Sequence, residues 1–354
     1  MKEKLLKAGA LDFALDFNKP TVNILLFSDV QIIDAAQQRY VGRLTSRSEK
    51  LWATENVEKC AFSFMREAVE RIKPDMLVFA GDNVYGEFDD SGKSLERFIA
   101  ETDGYGIPWA AVFGNHDNET KKGVEWICER YEGAKHCLFI RGDTGKLEGN
   151  GNYNAGIFNG GELIEVLWFM DSHGQTAADI RQNQYADAGI MPGQMKWYSC
   201  RMETIRSIAG KYPKNIGICH HPFKAFGAGA VKYGYVSARN EFKNGDKEFS
   251  PLVIPENPKG DFGRIGRDIG GFIDRDFAFH NLLEKYACEG WFFGHDHEVN
   301  ASVLYGGVRY TFGLKSSRYD SYNPKDLGST LITVNGERMS VKHIYSNFAE
   351  VDND

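Results

Sequence analysis

Gly81-Asp82-Asn83-Val84-Tyr85 is the stretch whose reading decides the fold. It follows Met76-Leu77-Val78-Phe79-Ala80, a short run apolar enough for a parallel strand buried on both faces. The run stops at a glycine, and a carboxylate comes next. Ligands of open α/β sheets gather at the carboxyl ends of strands, so Asp82 stands where a side chain can hold a cation. An ordinary turn aspartate with a glycine partner explains the single site equally well. Recurrence decides between the two.

The pattern recurs. Residues 22–28 form an apolar run that ends in Asp29-Val30-Gln31. Residues 109–113 end in Gly114-Asn115-His116-Asp117, and residues 215–219 end in His220-His221-Pro222. Residues 290–293 end in Gly294-His295-Asp296-His297. Five apolar runs that all stop at oxygen or imidazole donors need a common cause, and a two-metal site supplies one. Hard oxygen donors together with imidazole suit iron, manganese, zinc or cobalt. Two such ions about 3.5–4 Å apart can clamp the attacking and leaving oxygens of an in-line displacement.

Between the runs, apolar spacing predicts helices over 51–72, 94–100, 123–131, 192–209 and 277–286. Pro192 suits the first turn of the fourth. Residues 152–158 and 163–170 read as a hairpin joined at Asn159-Gly160-Gly161. Further strands are expected at 301–304, 308–312, 329–334 and 339–343. The alternation is that of an α/β protein. Because the donors run from Asp29 to His297, one domain over 1–354 must contain them all. Residues 223–276 break the pattern with Gly, Lys, Asn and aromatics, and are expected to form a lid-like insert over the site. Within it Lys224, Lys232, Arg239, Arg264, Arg267 and Arg275 are candidates for meeting phosphate oxygens, with a solvated loop as the plain alternative. Phe223 and Phe226 either stack on a leaving group or pack the insert down.

The net charge of −7 argues against a grip on nucleic-acid polymers. It is compatible with a small phosphorylated substrate, because metal cations can dominate the field of a site. The six cysteines form no Cys-x-x-Cys pair, which argues against a zinc knuckle and fits a reducing compartment. Residues 1–20 contain no apolar run of signal-peptide length, and no segment approaches the roughly 20 apolar residues of a membrane span. The expected location is cytoplasmic, or secreted where a leader has been trimmed.

In order, Asp29-Val30-Gln31, Gly81-Asp82-Asn83-Val84, Gly114-Asn115-His116-Asp117, His220 and Gly294-His295-Asp296-His297 resemble the motif series of the calcineurin-like metallophosphoesterases. Residues 111–120, Asp171-Ser172, residues 294–300 and Tyr310-Thr311-Phe312-Gly313 are further similar to the subgroup around purple acid phosphatase 29 and its bacterial relatives. The resemblance implies a four-layer α/β/β/α sandwich of two mixed sheets, with a dinuclear metal site at the strand carboxyl ends. Asp82 would bridge the two metals. Asp29 and His297 would serve the first, and Asn115, His220 and His295 the second. His116 would sit over the substrate as the catalytic acid, with Asp117 orienting its ring. A hydroxide between the metals would attack phosphorus in line. The implied activity is phosphoric ester hydrolysis, most directly of a phosphomonoester. A phosphodiesterase acting on nucleotides or small diesters is the alternative, and a non-catalytic scaffold of the same fold a third reading.

One motif departs. Gln31 stands where the family pattern has histidine, which leaves the first metal short of a donor. Tyr85 completes Gly-Asp-x-x-Tyr, and in the purple acid phosphatase branch that tyrosine is a phenolate ligand to ferric iron. Three readings stay open. Tyr85 ligates iron, paired with Fe, Mn or Zn. Gln31 ligates through its amide oxygen, or water fills the place. Or the position is degraded. His221 points away from His220 on an extended segment, so it is a candidate for contacting substrate or buttressing the ligands. His173 is read as a loop histidine.

Overall fold

The apolar runs pair into two mixed sheets that face each other. A computed structural model describes residues 1–142, 145–174, 188–236, 252–266 and 275–346. In chain order the elements begin with α1 (Lys2–Lys7), β1 (Phe13–Asp16), β2 (Val22–Phe27), α2 (Ser46–Leu51), α3 (Ser63–Ile72), β3 (Met76–Phe79), α4 (Lys93–Gly104), β4 (Trp109–Ala111) and α5 (Gly123–Gly133). The hairpin β5 (Tyr153–Asn159) and β6 (Glu162–Phe169) follows, then α6 (Pro192–Ala209), β7 (Asn215–Ile218), α7 (Lys224–Lys232), β8 (Leu252–Val253) and β9 (Arg264–Ile265). The chain continues through α8 (Arg275–Lys285), β10 (Cys288–Phe293), β11 (Ser302–Tyr305), β12 (Val308–Phe312), β13 (Gly328–Val334) and β14 (Met339–Tyr345).

One sheet has the order β14-β13-β2-β3-β4, and the other β1-β5-β6-β7-β10-β12-β11. The strands that carry the motifs are parallel within each sheet: β2 to β3 to β4 in the first, β7 to β10 in the second. Their carboxyl ends therefore lie along one edge of each sheet. Phe79 of β3 packs edge-on against Phe98 of α4 at 4.9 Å, so that face of the first sheet is covered by helices. The other face shares a core with the second sheet, which contributes Tyr153, Ile157, Ile216 and Phe292. A separate cluster joins the outer face of the second sheet to α6 and α8 through Trp168, Tyr198, Phe279 and Trp291. Helices outside, two sheets inside: this is the four-layer α/β/β/α sandwich.

The structure adds α1 and β1 ahead of the first expected strand, with Phe13–Asp16 extending the second sheet beside β5. It also divides the helix expected over 51–72. A π-helical turn at Glu58–Phe62 inserts an extra residue before α3 and resets the apolar face. Of the expected insert, α7 is tied to the core by Phe226 against Phe312 at 4.8 Å, and Phe223 is fully buried. These two aromatics pack the segment down rather than face a ligand. Residues 252–266 are fastened to the β11 edge by a Phe262–Ser302 bridge. Arg239, Arg267 and most of the remaining insert lie outside the described residues, as does the side chain of Arg275.

Candidate metal centre

Each donor is aimed by its strand end. Gly81 has φ of 90°, and a Cβ there would fall 2.6 Å from His220 Nδ1, so only glycine lets β3 end against that histidine. A Cβ at Gly114 would fall 2.1 Å from Asp82 Oδ1, and one at Gly294 2.8 Å from Asp29 Oδ2. These glycines bring the ends of β3, β4 and β10 within reach of one another. The first sheet supplies Asp29, Asp82 and Asn115, and the second supplies the histidines. Among the described residues, Asp29, Gln31, Asp82, His173, His295 and Asp320 are non-glycine residues at positive φ, between 45° and 76°. Such backbone costs of order 1–3 kcal/mol per residue and clusters where function requires it.

Two adjoining donor groups result. One ligand atom each from Asp29, Asp82 and His297 lies within 4.8 Å of the others. In the second group, Asn115 Oδ1 is 3.1 Å from His220 Nε2 and 2.9 Å from His295 Nδ1. His220 Nε2 is also 3.4 Å from Asp82 Oδ2. Metal bonds of about 2.0–2.2 Å set neighbouring ligand atoms roughly 3–3.5 Å apart, so this donor set fits a cation. Asp82 reaches toward His220 and Gln31 while its Oδ1 accepts from the His116 amide at 2.8 Å, the position expected of a shared carboxylate.

The tautomers agree. His220 Nδ1 donates to the Ala80 carbonyl at 2.9 Å, which leaves Nε2 facing the oxygens. His297 Nδ1 donates to the Ser321 carbonyl at 2.9 Å, which turns Nε2 toward Asp29 Oδ1 at 3.5 Å. Hydrogen bonds of this kind from the far ring nitrogen fix a ligand histidine's orientation. Burial opposes ionisation of Asp29, yet the hydrogen bond and charge of His297 hold its carboxyl down at about 2. Asp82 is likewise held well below the usual range, against its burial, by His220 and His116. Burial and the neighbouring His220 push His295 down to about 3, so it is a neutral donor. Ionised carboxylates and a neutral His295 are in the states that metal ligation uses, whereas His220, raised to about 10 by Asp82 against its burial, would give up its proton when an ion binds.

His116 stands beside this group. Its ring stacks on Tyr85 with centroids 4.0 Å apart, and its Nδ1 is 3.0 Å from Glu119 Oε1. Although burial works against the charged ring, Asp82 and Glu119 raise it to about 9. The carboxylate beside this ring is Glu119 and not Asp117, of which the orienting role was expected. Asp117 instead accepts the backbone N–H groups of Asp82, Asn83, Val84 and Gly114 at 2.7–3.1 Å. It holds the Gly81–Tyr85 turn in shape.

Tyr85 makes no hydrogen bond to Asp29, Asp82 or His297: its hydroxyl lies 3.4 Å from Arg43 Nη2. Gln31 does not offer its amide oxygen, which accepts from Lys315 Nζ at 2.6 Å, while its Nε2 points to Asp82 Oδ2 at 3.3 Å. His221 lies against His295 with ring centroids 4.3 Å apart, and its Nδ1 is 3.3 Å from Ser172 Oγ. His173 Nε2 meets Gln194 Oε1 at 3.2 Å, outside the donor groups.

Sequence reasoning missed the segment after β12. Lys315 also donates to the Asp29 carbonyl at 2.7 Å, Ser321 holds His297, and Asp320 Oδ2 is 3.8 Å from His297 Nδ1. The signal was present: β12 ends at Phe312 and is followed by Gly313, a fourth strand end stopped by glycine after those at Gly81, Gly114 and Gly294, where a Cβ would fall 2.6 Å from Leu26.

A model of the calcineurin-like phosphoesterase family matches residues 22–299. The chain is 47% identical over 254 residues to "Probable inactive purple acid phosphatase 14" of Arabidopsis thaliana, covering 66% of this chain and 56% of that protein. It is 29% identical over 125 residues to "Probable inactive purple acid phosphatase 29" of the same plant, 31% of either chain. It is 32% identical over 119 residues to "Phosphatase DCR2" of Saccharomyces cerevisiae, 31% of this chain and 21% of that one. The chain thus spans about half, or less, of the length of these relatives. Among the described residues no helix is long and apolar enough to cross a membrane.

Proposed function

This chain belongs to the calcineurin-like phosphoesterase family, and from that premise we propose that it is an active, metal-dependent phosphomonoesterase. The observation that carries the reading is the convergence of Asp82, Asn115, His220 and His295 at ligand spacing, with His116 beside them. Two divalent ions from the iron, manganese and zinc group match the mixed oxygen and imidazole donors. Once bound, they would supply Lewis acidity toward the phosphoryl group and a nucleophile at neutral pH.

The chain's own residues do the rest. Asp29, Asp82 and His297 would hold one ion, and Asp82, Asn115, His220 and His295 the other. The Ala80 and Ser321 carbonyls keep the two Nε2 atoms turned inward. His116 would carry the proton for the leaving oxygen, with Glu119 holding the charged ring and Tyr85 stacked on its face. Asp117 keeps the turn bearing Asp82 from relaxing. The substrate would be small and phosphorylated.

Aryl phosphate monoester and diester substrates separate this reading from a phosphodiesterase. Monoester hydrolysis at the higher kcat/KM is expected, Asp82→Ala should remove turnover and bound metal together, and His295→Ala should remove turnover and the ion that His295 helps to hold. Activity retained in either variant sinks the assignment. The names of two relatives make a non-catalytic scaffold the second reading. It predicts purified protein without metal and without phosphate release.

A further inference from the structure

Gln31 occupies the position where the family pattern places an imidazole, and its carboxamide has only one orientation. It is fully buried with φ of 45°. Lys315 Nζ, which can only donate, is 2.6 Å from Oε1. The Asp82 carboxylate, an acceptor, has Oδ2 3.3 Å from Nε2. Flipping the amide would set donor against donor and acceptor against acceptor. Lys315 is itself immobilised. It is 3% exposed, donates a second bond to the Asp29 carbonyl at 2.7 Å, and its backbone bridges Ser28 on one side and Leu327 on the other.

We propose that Lys315 locks Gln31 with its amide nitrogen toward Asp82, so that Gln31 is not a ligand and the ion held by Asp29, Asp82 and His297 is the weaker bound of two. The proposal rests on the metal-centre reading above. Its physical content is a count of ligand atoms that face the ions. Among the described residues the second group offers four protein donors: Asp82, Asn115, His220 and His295. The first offers three, because Gln31 turns its amide nitrogen to Asp82, and its oxygen faces Lys315 instead. In addition, the amide nitrogen of Gln31 draws on Asp82 Oδ2, an oxygen the ions would otherwise have to themselves. Lys315 is a positioning residue acting through Gln31.

The test is calorimetric titration of the full chain, stripped by chelation, with Mn2+ alone. The wild type is expected to show two classes of site. Gln31→Met, close in volume and without a hydrogen-bonding group, should change the weaker dissociation constant by less than about threefold, whereas Asp29→Asn should raise it about tenfold or more. Lys315→Met frees the carboxamide to turn its oxygen inward and should tighten the weaker class. The proposal is overturned by two indistinguishable sites in the wild type, by Gln31→Met as damaging as Asp29→Asn, or by Lys315→Met weakening or not changing that class. If Lys315→Met does not fold, the Gln31→Met titration decides. His295→Ala distinguishes the two levels of the argument. If it leaves both classes intact, the metal-centre reading fails. If it removes the tighter class while Gln31→Met removes the weaker, only the lock fails.

Discussion

Glu119 Oε1 lies 3.0 Å from His116 Nδ1, although Asp117 is the nearer carboxylate in sequence. The short 3-10 turn Asp117–Glu119 accounts for the exchange. It brings Glu119 back under the residue that precedes the turn, and sends Asp117 into the amides of the neighbouring loop. Glu119 is almost fully buried, so its charge acts on the ring with little screening. His116→Ala is expected to keep bound metal and to slow monoester turnover by ~10²–10⁴. Glu119→Gln, which keeps the shape and removes the charge, should slow it by about tenfold with metal content unchanged. Metal analysis alongside steady-state kinetics checks both. Loss of metal in His116→Ala would make it a ligand.

Asp117 should be a stability residue. Its two oxygens accept four backbone N–H groups, from Gly114 and from Asp82 to Val84. Asp117→Ala leaves these buried donors without an acceptor, at about 1–3 kcal/mol for each one that water does not reach. A loss on the order of 4 kcal/mol is expected by urea denaturation. Asp117→Asn should lose about half of that, because one oxygen remains. A change below about 1 kcal/mol in Asp117→Ala would remove the hub role.

The motif strands were legible because their signal is local. An apolar run and a polar donor, with a glycine between them at Gly81, Gly114 and Gly294, occupy a few consecutive residues, and the register of β2, β3 and β4 does the rest. What escaped needs three dimensions. Lys315 is a single lysine after β12, and only the parallel bridge from Ser28 to Lys315 carries it under Asp29. Side-chain direction escaped as well, since Asp117 and Glu119 exchange roles over a turn that sequence spacing does not describe. The α1 and β1 elements have six and four residues, too few for either periodicity to register.

Tyr85 is expected to act through His116 and not through a metal. Its ring stacks on the imidazole at 4.0 Å with planes 27° apart, and its hydroxyl turns to Arg43. Burial, with Asp320 and Glu119 nearby, pushes the phenol well above its ordinary value, so the neutral form is favoured. Protein reconstituted with ferric iron should lack a tyrosinate charge-transfer band in the visible, and Tyr85→Phe should retain its metal. Tyr85→Ala, which removes the stacking face, should slow turnover more than Tyr85→Phe does. A visible band bleached by Tyr85→Phe would instead make Tyr85 a ligand.

His343 gives the fold a pH dependence remote from the metal donors. It is buried on β14, with Nε2 2.7 Å from the Asn300 carbonyl and Nδ1 3.0 Å from Thr330 Oγ1. The carbonyl only accepts, so Nε2 carries the hydrogen and Nδ1 takes the hydroxyl proton of Thr330. Protonation of Nδ1 would break that arrangement inside the core. Burial pushes the ring down to about 4, against about 6.5 in the unfolded chain. For a base with a depressed folded pKa, the unfolded state binds the proton first. The stability is therefore fully present above about 6.5 and is lost as pH falls from there toward 4. The linked loss between pH 7 and pH 5 is about 2 kcal/mol. His343→Gln has no proton to take up, so its urea midpoint should fall less over this interval than that of the wild type. Equal pH slopes for the two proteins would mean that His343 titrates alike folded and unfolded, and that the hydrogen bond to Asn300 does not fix its neutral form.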